Sequence, residues 1–183
     1  MWYGATVSTA PTDGAELISI AEARAQVRLE SGDTDFDDEL NRLRVASRDY
    51  VEARTGLRIP VQTVTIWCDL FADLAHVPVA PVSAVAVTYT DGSGNEQTLG
   101  TSVYELRNEE LSTRIALKPN QSWPGQQANS RVKLVLTCGF ATPPASLKQA
   151  ALLMLGSWFA NHERDGTAQS DEIEMLLANW RRG

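Results

Sequence analysis

Few residues in this chain of 183 have the chemistry for catalysis or metal binding, and their spacing argues against most of it. His76 stands between Ala75 and Val77 beside Pro78, and His162 lies at the polar end of an apolar run. Neither belongs to a zinc-ligand spacing, a nucleophile elbow or a phosphate loop. Cys68 and Cys138 sit far apart in strand-like segments and read as packed core thiols rather than as a bridge or a ligand pair. Asp33, Asp35 and Asp37 alternate as in the opening of a calcium loop, but the sixth position is Asp38 where glycine is needed. The twelfth is Arg44, where a bidentate glutamate is needed. Gly92-Ser93-Gly94 lacks the third glycine and following helix of a dinucleotide site and reads as a turn. Adjacent Glu109 and Glu110 are neighbours whose side chains usually point apart, so a solvated loop accounts for them. The expectation is no catalytic residue, no cofactor, no metal ligand and no enzyme.

Bulk composition narrows the class further. With 43% hydrophobic and 21% charged residues the chain reads as an ordinary globular protein, long enough for one domain or for one carrying a smaller inserted domain. No leader, lipidation motif or membrane span is apparent, which makes the cytoplasm the default expectation. A net charge of −7 with only three lysines argues against a protein that grips DNA or an anionic membrane. Basic residues are dispersed among acids, and no helix carries a one-sided cationic stripe.

The elements are built around the stretch Pro143 to Glu163. Its prolines suit the first turn of a helix, and Leu147, Ala151, Met154 and Trp158 recur at helical spacing. Leu152, Leu153, Leu155 and Phe159 fill most of the remaining circumference, so this helix should be enclosed by others.

Upstream, residues 1–16 hold small polar residues, Pro11 and Gly14, and read as a flexible arm. Ser19-Ile20-Ala21-Glu22 has the form of a capping box with Ile18 at the staple position, predicting a helix from Ile20 to about Leu29. Asp35 is the expected cap of a second helix. That helix should turn Phe36, Leu40, Leu43, Tyr50 and Val51 inward and Arg42, Arg44 and Arg48 outward, and end at Gly56.

Residues 61–142 change to alternating or β-branched runs, with candidate strands at 62–69, 84–90, 97–99, 103–106, 114–117 and 131–138, and a hairpin loop at Asp91-Gly92-Ser93-Gly94. Within this region Trp123 tips a long polar loop, either as a contact for a partner or folded back onto the sheet.

After a polar tether, Ser170 can cap a last helix in which Ile173, Leu176, Leu177 and Trp180 share one face, followed by Arg181 and Arg182. That face either docks on the chain's own core or lies in a groove of another protein. The fold class expected is α+β: a helical bundle around a buried helix in the C-terminal half, with an inserted antiparallel β-rich region. The parts are an arm at 1–16, helices at 17–60, the β-rich insert at 61–142, the central helix at 143–165, and a tether with an amphipathic helix at 166–183.

Several stretches in order carry a resemblance. They are Ile18 to Arg24; Ala46-Ser47-Arg48-Asp49-Tyr50-Val51-Glu52-Ala53-Arg54-Thr55-Gly56; Pro78 through Tyr89 to Asp91-Gly92; and Thr137-Cys138-Gly139-Phe140-Ala141-Thr142-Pro143-Pro144 on to Trp158-Phe159 and Glu163-Arg164. Together they resemble the head-tail connector, or adaptor, family of long-tailed bacteriophages and gene transfer agents over roughly Leu17 to Arg164. Phe140 stands where a tyrosine is common in that family.

The resemblance implies a structural virion protein: a ring of identical subunits, twelve in number, at the head-tail junction between the portal protein and a stopper or tail protein. DNA would pass through its channel without sequence-specific binding, and there would be no membrane. A tail-side or head-completion component of similar fold is the alternative. On this reading Ile173, Leu176, Leu177, Trp180, Arg181 and Arg182 are the candidate portal-binding residues, and Trp123 is a further interface candidate. An acidic channel wall would leave a moving polyanion free to slide.

Overall fold

Ser19 starts the first helix by the route its sequence dictates. Its hydroxyl accepts from the Glu22 backbone N–H at 3.2 Å while the Glu22 carboxylate accepts from the Ser19 backbone N–H at 2.9 Å, and Ile18 is buried beside them. The computed structural model describes residues 1–11, 16–30, 32–109, 111–160 and 170–181. It divides into two units, Pro11–Pro60 with Phe140–Gly183, and Met1–Ala10 with Val61–Gly139. The first unit is four helices packed together; the second is an antiparallel sheet and a hairpin.

In the helical unit, α1 (Ile20–Gln26), α2 (Asp37–Thr55), α3 (Ala145–Ala160) and α4 (Ser170–Leu177) surround a common core, and α3 touches the other three. Leu147, Ala150, Ala151 and Leu155 of α3 are fully buried, as are Leu40 and Val51 of α2. The expected packing of α2 on the central helix is fixed at both ends by edge-to-face rings, Phe36 on Phe159 at 5.8 Å and Tyr50 on Trp158 at 6.1 Å.

Gly56 ends α2 at φ 71°, donating its N–H to the Glu52 carbonyl. Helix α1 stops earlier than expected, where Arg28 takes φ 62°. Arg24 on α1 grips both oxygens of Asp37 at the start of α2, and its guanidinium holds the Asp37 carboxyl below the usual carboxylate range.

Three expectations for α2 are corrected. Phe36, expected inward, is 42% exposed and meets Phe159 only edge to face. Phe36, not Asp35, occupies the cap position and makes no side-chain cap hydrogen bond; the Asp35 N–H instead donates to Asp33 Oδ1 at 3.2 Å. Of the arginines placed outward, Arg42 is exposed. Arg44 is buried, with a hydrogen bond to Asn41 Oδ1 at 2.7 Å, and Arg48 is half-buried in a cluster with Glu16 and Asp49. The long stem of arginine packs as apolar surface, which a reading based on charge alone misses.

In the β unit, β1 (Trp2–Thr9), β2 (Gln62–Cys68), β3 (Val82–Thr90), β4 (Glu96–Thr98) and β7 (Val132–Cys138) make a five-stranded sheet in the order β1-β2-β7-β3-β4, every pair antiparallel. Strand β7 lies in the middle, its Leu136 opposite Val64 on one side and Val85 on the other. Residues 2–9, expected as a flexible arm, are instead the edge strand β1. Pairing with β2 supplies the hydrogen bonds that their sequence alone does not promise.

The Asp91 to Gly94 turn forms as expected, with the Asp91 carboxylate accepting from the Ser93 and Asn95 backbone N–H groups at 2.9 and 3.0 Å. These amides, first that of Asn95, and the Gln97 side chain hold the Asp91 carboxyl below its usual range.

A second layer covers one face of this sheet. The hairpin β5 (Tyr104–Glu109) with β6 (Ser112–Leu117) and a 3₁₀ turn at Phe71–Ala75 supply Tyr104, Ile115, Phe71 and Leu74 to a core that also holds Val64, Ile66, Val87, Leu134 and Leu136. The Tyr104 hydroxyl donates to the Val85 carbonyl at 2.9 Å, and the Asn108 side-chain amide to the Val82 carbonyl at 2.7 Å. These two bonds tie the hairpin to β3.

Candidate functional site

The terminal helix shows which side of its sequence is already spent. Ile173 and Leu177 are 1% and 0% exposed, and Leu176 and Trp180 are half-buried. Trp180 sits in a 3₁₀ turn, Ala178–Trp180, that follows α4; its indole N–H donates to Ser146 Oγ at 2.8 Å and its ring meets Phe140 edge to face at 6.1 Å. Of the two readings of this face, the one in which it docks on the chain's own core describes the free chain.

Glu174 lies between Arg54 of α2 and Arg181 and pairs with both, so one carboxylate ties the terminal segment to α2 and to itself. Arg54 also lies 5.8 Å from the centre of the Tyr50 ring. Among the candidates, Ile173, Leu176, Leu177 and Trp180 thus converge on the bundle, and Arg181 is exposed beyond Glu174. Arg182, His162 and the tether at 161–169 lie outside the described residues, as does the side chain of Ser170. On the outer side of α4, Met175 is 70% exposed.

Trp123 folds back. Its ring stacks on Phe71 at 5.1 Å with an interplanar angle of 3°, and Phe71 in turn meets Tyr89 edge to face at 5.4 Å. The loop is pinned by Gln126, whose side-chain amide donates to the Asp69 and Ser130 carbonyls at 2.8 and 2.9 Å. A partner touching this loop would meet its polar rim, with the tryptophan already half-buried against the β core. Nothing in the sequence pairs Trp123 with Phe71, because that contact depends on how a fifty-residue excursion returns.

The residues with chemical potential do not converge. His76 is exposed, and its backbone N–H donates to Asp73 O. Among the described residues, no group of three His, Cys, Asp or Glu side chains is placed to hold a metal ion. No helix of the described residues is long and apolar enough to cross a membrane.

Cys68 and Cys138 are both buried, and neither is in a disulfide. In the β2–β7 register Cys68 faces Val132 while Cys138 faces Gln62, which puts the thiols at opposite ends of the pair, about 20 Å apart along the strands. Burial pushes the Cys68 thiol up to about 12, with Asp73 adding to the shift. Both thiols are therefore expected to resist iodoacetamide at pH 8 in the native protein and to react fully once it is unfolded in guanidinium. Mass spectrometry reads this directly, and rapid native labelling of Cys68 would contradict its buried place in the sheet.

No family model matches the chain, and no curated protein matches it. Solved structures do. A chain in the neck of an empty gene transfer agent particle computed with C6 symmetry is 22% identical, aligned over 99% of this chain and 96% of that one, with a TM-score of 0.80. A chain in the virion of a native gene transfer agent particle is 23% identical over the same shares, with a TM-score of 0.81. A third, in the neck of a native particle computed with C12 symmetry, is 21% identical over the same shares, with a TM-score of 0.77. Over almost its whole length, then, this chain has the fold of chains found in gene transfer agent particles and their necks.

Proposed function

We propose that the chain is a structural neck protein of a gene transfer agent or phage-like particle, sitting at the head-tail junction as an adaptor ring between the portal and the stopper or tail. The observation that carries this reading is the likeness over 99% of the chain to chains of particle necks, at TM-scores of 0.77 to 0.80. The ordered run of resembling stretches between Leu17 and Arg164 supports it independently. A ring of twelve copies agrees with the C12 symmetry of the neck in which one similar chain sits. The net charge of −7 suits a channel through which DNA slides without sticking, and a channel wall lined by arginines in the assembled ring would remove that part of the reading.

The terminal segment is the proposed portal anchor, through Ile173, Leu176, Leu177, Trp180, Arg181 and Arg182. In the free chain its apolar face is covered by the bundle, so anchoring means exchanging one cover for another. Each exchange has a small net gain, and a closed ring multiplies it through many simultaneous contacts.

Light scattering on the protein mixed with the portal protein of the same genome tests this. The full chain should join the portal as a multi-copy complex, and a chain cut after Asp165 should not. Because that cut also uncovers the core face of α3, Trp180→Ala serves as a milder variant and should weaken portal binding at least tenfold with the bundle still folded. Full binding by both variants would remove the anchor, and no binding by the intact chain would remove the portal contact.

A further inference from the structure

The outer face of α2 carries a pattern that fits a second copy of itself. Arg42, Val45, Ala46 and Asp49 fall at i, i+3, i+4 and i+7, so they form one stripe two turns long, about 10 Å from end to end. All four are exposed: Val45 is 40% exposed, and the Asp49 side chain 62%. With Asn41 they line a shallow, mostly apolar depression on the helix. One end of the stripe is a cation, the other an anion, and the middle is a valine beside an alanine small enough to let another helix come close.

A two-fold axis through the midpoint between Val45 and Ala46 has a definite result. It sets the second helix antiparallel, lays Val45 of each chain against Ala46 of the other, and brings Arg42 of each chain opposite Asp49 of the other. Continuing outward, Asp38 meets Ala53, while Glu39 falls opposite Glu52, whose carboxylate is buried and already engaged by Arg58. Asp49 already accepts from Arg48 of its own chain through Oδ1, at 2.8 and 3.1 Å, which leaves Oδ2 for a second cation.

We infer that this stripe is an isologous, antiparallel contact between two copies of the free chain. The copies of a cyclic ring all point the same way and meet through two different surfaces, so a contact of this kind has no place between neighbours in such a ring. The pair is a state of the free protein, and ring formation must part it. The contact stands on the pattern of α2 alone and does not depend on the neck reading. A stripe this small is well below a standard interface in area, so the pair is weak and concentration-dependent.

Sedimentation equilibrium from about 10 µM to 1 mM reads it, a range that spans weak affinities. The mass of the intact chain should climb from one copy toward two. Arg42→Glu and Asp49→Lys should each weaken the association about tenfold or more, because each places like charges opposite at both ends of the pair. An equimolar mixture of the two variants should regain it, since each then offers the charge the other lacks. Restoration on mixing cannot come from a change within one chain.

Should either reversal unfold the bundle by circular dichroism, Arg42→Gln with Asp49→Asn serves instead: association of the intact chain should fall with salt while that of the neutral variant does not. A constant single-copy mass to 1 mM, a mixture no better than its parts, or a ring-sized mass for the free protein would each overturn the inference. The last of these would leave the neck reading intact, and failure of portal binding would leave the pair intact.

Discussion

Replacing Leu155 by alanine is expected to lower the stability of the helical unit by about 2–5 kcal/mol. Leu155 is completely buried on α3, which touches the other three helices, so the cavity would open where no loop can relax to fill it. Urea unfolding followed by far-UV circular dichroism measures the loss as a fall in midpoint at unchanged slope. A loss under about 1 kcal/mol would mean that the bundle closes around the gap, and the central place given to α3 would have to be withdrawn.

Glu52→Ala should cost about 3 kcal/mol although it removes no apolar contact of note. Glu52 is 7% exposed; its Oε1 accepts from the Ile59 backbone N–H at 2.8 Å and its Oε2 from Arg58 at 3.0 Å. Truncation leaves a buried amide without an acceptor and a guanidinium without its carboxylate. The Ile59 carbonyl in turn accepts from the Phe140 N–H at 2.8 Å, so loosening Glu52 also loosens the place where the chain re-enters the helical unit. Glu52→Gln, which keeps an acceptor for Ile59, should recover more than half of the loss. Equal effects of the two substitutions would show that the amide bond matters little and that only the ion pair counts.

Much of this architecture is legible in the residues because the signals are local. The Ser19–Glu22 box, Gly56 at the end of α2 and the Asp91 turn each need only three or four neighbours, and each forms as read. Alternation set six strands to within two or three residues, because a half-buried strand writes its two faces into its own sequence. What failed to show depended on residues far away. Trp2–Thr9 has strand-compatible residues but becomes a strand only when β2 offers an edge more than fifty residues later. Arg44 looks like a surface residue, and its burial follows from the helices that α2 meets rather than from α2 itself.

The candidate site shows the same limit in sharper form. The spacing of Ile173, Leu176, Leu177 and Trp180 correctly marks a face to be covered, but amphipathicity does not say what covers it. In the free chain the cover is the bundle, through contacts such as Trp180 with Ser146 and Phe140. Trp123 poses the same question and receives the same answer from Phe71.

The central position of β7 has a bearing on how the chain is made. Strands β2 and β3 both wait for a partner whose residues are synthesised roughly 40 to 70 positions after their own, and β1 waits for β2. At roughly 5–20 residues per second, the middle of the sheet stays vacant for several seconds of translation. The helical bundle is no quicker, since α3 and α4 follow β7. The β unit cannot close before β7 is made, nor the helical unit before α3 and α4, so the nascent chain carries its apolar strands uncovered until then. Pairing across such distances is slow to nucleate. A cell making many copies at once therefore has the greatest need of chaperones during synthesis.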